Sequence, residues 1–137
     1  MAAARSDDLG KLLLRIGIGV VLLFHGVFKI MHGVGWLKGL LEAHGWPGFL
    51  IYGPYLAEVV APALIIIGIR TRLGALVVVF NMIAAFVLVL GGQVFIVKEG
   101  GGGWAIELEV LLLLCSLTLF FIGGGRYGIT KGKSAWD

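Results

Sequence analysis

The stretch Leu56–Ala63, LAEVVAPA, sets an acidic residue, Glu58, inside an apolar run and a proline, Pro62, four residues after it. Proline has no N–H, and its ring clashes with the carbonyl at i−4, which here is that of Glu58, so a helix is expected to bend at the acid. The apolar run extends from Phe49 to Ile69, long enough to cross the roughly 30 Å of a bilayer's hydrocarbon core. A carboxyl at that depth must find partners inside the protein or line a wet cavity, because lipid offers none. Its insertion costs at least about 2.5 kcal/mol, which marks it as a candidate functional residue. The competing reading is an ion pair that only holds helices together.

Composition supports a membrane setting for this stretch. Of 137 residues, 59% are hydrophobic and 14% charged, and the mean hydropathy of +1.02 lies far above that of a soluble domain. Further runs of spanning length cover Leu9 to Met31, Leu73 to Gly91 and Trp104 to Ile122. The expected fold is therefore an all-α, four-transmembrane-helix antiparallel bundle, with residues 1–137 forming one integral membrane domain and no soluble catalytic module.

The basic residues sort by membrane side. Arg5, Lys11, Arg15, Arg70, Arg72, Arg126, Lys131 and Lys133 share one side of such a bundle, and Lys29, Lys38 and Lys98 the other. This eight-to-three split predicts cytoplasmic termini by the positive-inside rule, with Arg15, Arg70, Arg72 and Arg126 fixing topology. The charges form no single patch, so the net +3 does not call for a nucleic-acid partner; the expected partners are membrane lipid and another protein subunit or a second copy of the chain. Asp7 and Asp8 precede the first run and Arg15 interrupts it, unlike a cleavable signal, so the run is expected to remain as the first span. The single cysteine, Cys115, rules out an internal disulfide and a CxxC relay, leaving it a packing role.

In the first run, His25, Lys29 and His32 fall within a sector of roughly 60° at about 100° per residue, so one side of this helix is meant for protein or water. Lys29 and His32 lie near enough to the boundary to snorkel; His25 is deeper. A metal site from the two histidines is not expected, since seven residues along a helix separate them by about 10 Å. The following segment GWLKGLLEAHGW sets Leu37, Leu40 and Leu41 apart from Lys38 and Glu42, which reads as a short helix lying flat at the membrane interface, with Trp36 and Trp46 as depth anchors. A lid over a cavity is the sharper alternative. In the third run Asn81 is placed for a hydrogen bond across helices or a ligand contact. The loop QVFIVKEGGGGW is too glycine-rich to be expected to hold a fixed shape cheaply, and its glycines do not open a nucleotide-binding unit. Glu107 and Glu109 lie about 200° apart around their helix, so one is expected inward and the other outward.

With this topology His25, Lys29, Glu58, Glu107 and Glu109 come to one level, and leaving any of them unpaired in a low dielectric costs several kcal/mol, about 3 to 5 for a broken pair. One network is therefore expected. It can hold a proton, and with Tyr52, Tyr55 and Phe28 nearby it suits a ring bearing polar oxygens. Glu58 and His25 are the candidate proton-exchanging residues; Lys29, Tyr55, Asn81, Glu107 and Glu109 are the candidate ligand contacts.

Arg15, Gly26 with Lys29, Glu58, Gly68 with Thr71 and Arg72, Glu107 or Glu109, and Gly123 to Tyr127 follow one another in an order that resembles the DoxX family of small four-span bacterial membrane proteins. Coverage is nearly the whole chain; the GGGR at Gly123 to Arg126 departs from the family's habit of a proline between the glycines. The resemblance implies residence in the bacterial cytoplasmic membrane and quinone-linked oxidation, as in the membrane subunits of thiosulfate:quinone oxidoreductase, or a part in membrane complexes that handle oxidative stress. A quinone- or quinol-binding oxidoreductase subunit and a non-catalytic anchor or scaffold are the two functions to separate. The sequence carries no heme-ligand pair, iron–sulfur cysteines or flavin motif, so no heme, flavin or metal is expected and electrons must come from another subunit or a soluble donor.

Overall fold

The computed structural model describes residues 2–137. Helix α1 runs unbroken over Ala2–His32, and a short helix α2 covers Leu37–Ala43. Helix α3 spans Gly48–Ile67 and α4 Thr71–Gln93; α5 covers Glu107–Ile122. Among the described residues, α1, α3 and α4 are long and apolar enough to cross a membrane.

At 16 residues, α5 is shorter than the run Trp104 to Ile122 suggests, because Trp104 to Ile106 belong to the preceding loop. That loop holds a defined shape. Val97 and Trp104 form an antiparallel bridge, the Lys98 amide donates to the Gly103 carbonyl at 2.8 Å and the Ala105 amide to that of Ile96 at 2.9 Å. The Trp104 indole N–H adds a bond to the Val94 carbonyl at 2.7 Å. Backbone pairing supplies the order that the glycines alone would not.

The helices pack in a ring, α1 on α3, α3 on α4, α4 on α5 and α5 on α1. Their shared core is Ile18 and Leu22 from α1, Ala61 and Ile65 from α3, Ala75, Val78 and Met82 from α4, and Leu112 and Leu119 from α5. On α1 the buried residues Arg15, Ile18, Gly19, Leu22 and Gly26 recur every three or four positions, the spacing of a single helix face.

Arg15 does not act as a boundary charge. Its side chain is 1% exposed and spreads over three carbonyls: Nε donates to Ile65 at 2.8 Å, Nη2 to Ile66 at 2.7 Å and Nη1 to Gly124 at 2.8 Å. The last carbonyls of a helix have no partner within it, and in an apolar environment water cannot serve them. The guanidinium fork caps α3 from a neighbouring helix and holds the glycine-rich segment after α5 in the same grip. Gly68, which ends α3 at φ +71°, must lack a side chain, since a Cβ there would come within 2.5 Å of Arg15 Nη2 and 2.4 Å of the Gly128 Cα.

Residues after α5 fold back onto the start of α4. The Arg72 amide donates to the Trp136 carbonyl at 3.0 Å, and the Arg70 amide to Asp137 Oδ1 at 3.0 Å. Burial alone would push the Asp137 carboxyl up. The Thr130 hydroxyl, the Ser134 and Arg70 amides and the Arg70 charge together hold it below its ordinary value. Arg126 closes the same end by pairing with Asp8 at 2.7 Å. The first turns of α1, the α3–α4 turn and residues 123–137 thus meet at one end of the bundle.

Arg15→Met would remove three hydrogen bonds from a charged donor to the carbonyls of Ile65, Ile66 and Gly124. Of these Ile65 alone keeps the Gly68 amide, and the loss predicts destabilisation of about 3 kcal/mol or more. Arg15→Lys should fall between, because one ammonium cannot span the fork. Unfolding midpoints in detergent measure both; a midpoint unchanged in Arg15→Met would show that α3 needs no cap from α1.

Candidate functional site

At the opposite end, α3 departs from regular α-helix. Gly48–Tyr52 is a 3-10 turn, Gly53–Tyr55 a short α turn, Leu56–Val60 a π-helical turn, and α geometry is regained over Ala61–Ile67. Where a bend is expected the structure has a π turn: Pro62 cannot donate to the Glu58 carbonyl, and the Ala61 amide reaches back five residues to Leu56. The Glu58 carbonyl left over points at α1, where a Cβ on Gly26 would lie 2.2 Å from it and 2.6 Å from Val59 Cγ2. Only glycine allows that approach.

The π turn carries Glu58 inward, to 4% exposure. Its Oε1 accepts from the Lys29 ammonium of α1 in a short ion pair and from Asn81 Nδ2 of α4 at 3.2 Å. Three helices thus converge on one carboxylate oxygen. Oε2 is buried and has no hydrogen-bond partner. Tyr55 contributes indirectly: its hydroxyl donates to the Lys29 carbonyl at 3.3 Å and fixes the end of α1, and Tyr55 does not line the cavity described next.

Lys29, Glu58 and Asn81 form the polar patch of a cleft of about 340 Å³. The remaining wall is apolar, including Ala57, Phe80, Ala84 and Leu88, with Leu37, Leu41, Trp36 and Trp46 closing it from the side of α2. The leucine face of α2 packs on Leu88, with Leu50 and Ile51 against it, so α2 covers this cleft and Trp36 and Trp46 line it. A second π-helical turn, Phe86–Leu90, forms part of the wall through Leu88 and Val89. Single π turns inside α-helices recur at functional sites; nothing like Pro62 marks this one in the sequence.

The other ionisable residues stand apart. His25 is exposed and has no hydrogen bond to Glu58, because it points about 100° away from Gly26, the residue in contact with α3. His32 is exposed and stacks on Phe28 at 4.0 Å. Glu107 pairs with Lys98 at 3.3 Å across the loop, and Glu109 is half-buried on α5 without joining the Glu58 group. The network expected from five ionisable residues contracts to Glu58, Lys29 and Asn81. Among the described residues no group of three or more His, Cys, Asp or Glu side chains is placed to hold a metal.

The DoxX family model matches residues 10–91, the span that contains Arg15, Gly26, Lys29, Glu58 and Asn81. The chain belongs to the DoxX family. It is 27% identical over 119 residues to "Putative oxidoreductase CatD" of Bacillus subtilis, covering 87% of this chain and 83% of that relative. It is 26% identical over 129 residues to "Uncharacterized membrane protein Rv3486" of Mycobacterium tuberculosis, covering 88% of this chain and 79% of the relative. No solved structure matches. It is accordingly a DoxX-family membrane protein.

In this DoxX-family chain, Gly26→Ala would drive a methyl into backbone at the α1–α3 crossing, and overpacking of that kind costs about 1–3 kcal/mol. Gly17→Ala on the same helix meets nothing within 4 Å and should be neutral or slightly stabilising, by up to about 1 kcal/mol of helix propensity. Equal unfolding midpoints for the two variants would contradict the close crossing.

Proposed function

We propose that this DoxX-family protein is a membrane subunit of a quinone-linked oxidoreductase or redox-stress complex, binding a quinone or quinol ring in the cleft beside Glu58. The observation that carries the reading is a buried carboxylate with one unpartnered oxygen in an otherwise apolar cavity of about 340 Å³, a size and lining typical of small-molecule sites. The name of the Bacillus subtilis relative, which includes the word oxidoreductase, points the same way. The cleft's lip includes Leu56, Phe80 and Val89, all exposed apolar residues, so a lipid-borne ring has a sideways entrance between α3 and α4. Lys29 takes the place beside Glu58 that the sequence offered to His25, and Glu58 is the group that exchanges protons with the ring oxygens. Electrons pass to or from a partner protein.

This reading sets α1, α3, α4 and α5 as four antiparallel spans in the bacterial cytoplasmic membrane, with α2 lying in the outer interface and the Arg15 end of the bundle in the cytoplasm. For α5, 16 residues rise about 24 Å at 1.5 Å each, and the loop and glycine segments at its ends complete the crossing. A cysteine at Ser134 should then react with an impermeant thiol reagent only in opened membranes, and one at Gly101 in intact cells. The reverse pattern would put the cleft in the cytoplasmic half.

The alternative is an anchor or scaffold without a ligand, favoured by the fact that the same Lys29–Glu58–Asn81 group ties three helices together. Glu58→Gln separates the two. A ring-binding site should lose quinone-dependent turnover by about a hundredfold, the usual weight of a positioned acid or base, while the complex still assembles. In an anchor the variant acts on assembly alone, and adding Lys29→Met should restore part of it by removing the charge left unpaired. Unchanged turnover in a fully assembled Glu58→Gln complex would end the proton-exchange role.

A further inference from the structure

Both hydrogen-bond donors that reach Glu58 end on one oxygen. Lys29 Nζ and Asn81 Nδ2 both bond Oε1, whereas Oε2, on a side chain that is more than nine-tenths buried and lines the cleft, accepts nothing. An ionised carboxylate is acceptor-only, and a buried acceptor without a donor is among the costlier defects a fold can carry. Lys29 and Asn81 hold the carboxylate by its other oxygen, so Oε2 is the atom left toward a ligand. A donor that enters with the ligand relieves the defect and leaves the two remaining Lys29 N–H groups free for the ligand's own oxygen.

We infer that the cleft is built for the hydroxyl-bearing, reduced form of the ring, a hydroquinone, in preference to the quinone. This rests on the ring-binding reading and adds the redox state to it. The distinction follows from donor and acceptor chemistry. A quinone presents only carbonyl oxygens, which would set lone pairs against those of Oε2. A phenolic O–H donates to Oε2 and accepts in turn from Lys29, whose ammonium has two N–H groups beyond the one given to Glu58 and whose side chain keeps 20% of its surface open. One hydroxyl thus satisfies the carboxylate and engages the ammonium at the same atom. The rest of the ring meets apolar wall, Phe80, Trp36 and Ala84 among it, which does not discriminate between oxidation states.

Three probes of nearly one shape test this: trimethylhydroquinone, its dimethyl ether and trimethylbenzoquinone. They are titrated calorimetrically under nitrogen into the full-length protein in lipid nanodiscs, with empty nanodiscs as the partition reference. The hydroquinone should bind about tenfold more tightly than either of the others, the discrimination expected when a buried acceptor is left unpaired. In Glu58→Gln, whose amide offers N–H as well as oxygen, the three affinities should draw near parity. A quinone or ether bound as tightly as the hydroquinone by the unmodified protein overturns the preference and leaves the ring-binding site standing. Failure of all three to bind above the empty discs overturns both. The unmodified protein decides the matter even where Glu58→Gln does not fold.

Discussion

Helix α3 cannot satisfy its own backbone, and much of the bundle follows from that. Pro62 strips the Glu58 carbonyl of its donor, and at the end of the helix the Ile66 carbonyl has its bond from Arg15 while that of Ile65 has, besides Arg15, only the Gly68 amide at 3.2 Å. In an apolar medium neither defect can be left to water. One neighbouring helix answers both, in opposite ways. At Gly26, α1 offers an absence of side chain so that the freed carbonyl can press against its backbone. At Arg15, eleven residues earlier and so three turns along the same face, it offers the longest donor fork available. The position of α1 against α3 is fixed at two points, and the remaining helices close around that pair.

The charged group is a consequence of the same geometry. Lys29 lies three residues beyond Gly26, so the contact that seats the backbone also brings the ammonium to Glu58. Asn81 arrives from α4, held by the small-residue packing of Gly74 and Ala75 lower on that helix. A buried ion pair of this kind adds little to stability on balance, since desolvation of both partners offsets their attraction, while removal of either partner alone costs about 3–5 kcal/mol. In this bundle the pair also leaves one carboxylate oxygen unpartnered, so cohesion between the helices does not account for the whole group.

The helices and the acid at the break were legible in the sequence, because both rest on signals that survive without tertiary context: run length, and a proline four residues after a glutamate. The amphipathic pattern of GWLKGLLEAHGW likewise gave a real helix, and the structure lays its leucine face over a cavity. What was not legible depended on rotation and on long-range contact. His25 and Lys29 share a sector on a helical wheel, yet only Lys29 is turned to α3, and a wheel does not say where its partner sits. Arg15 read as a boundary charge because its three carbonyl partners lie fifty or more residues away in sequence. The π turn at Phe86–Leu90 has no residue that demands it, and Glu107 and Glu109 shared a level with the acid without sharing its face.

The two ends of the bundle are packed to different purposes. Around Arg15 and Thr71 the chain is knitted by caps, ion pairs and glycine contacts that leave no room for an added methyl at Gly68, Gly123 or Gly124. Toward α2, both α3 and α4 relax into π turns, at Leu56–Val60 and Phe86–Leu90, and each π turn inserts a residue that sets the following side chains about 100° out of α register. The cleft is lined by residues within these turns, Leu56, Ala57 and Glu58 on α3 and Leu88 and Val89 on α4, and by residues that precede them, and α2 covers it through Leu37 and Leu41. The π turn that precedes Pro62 is thus the segment that sets Glu58 in the cavity wall.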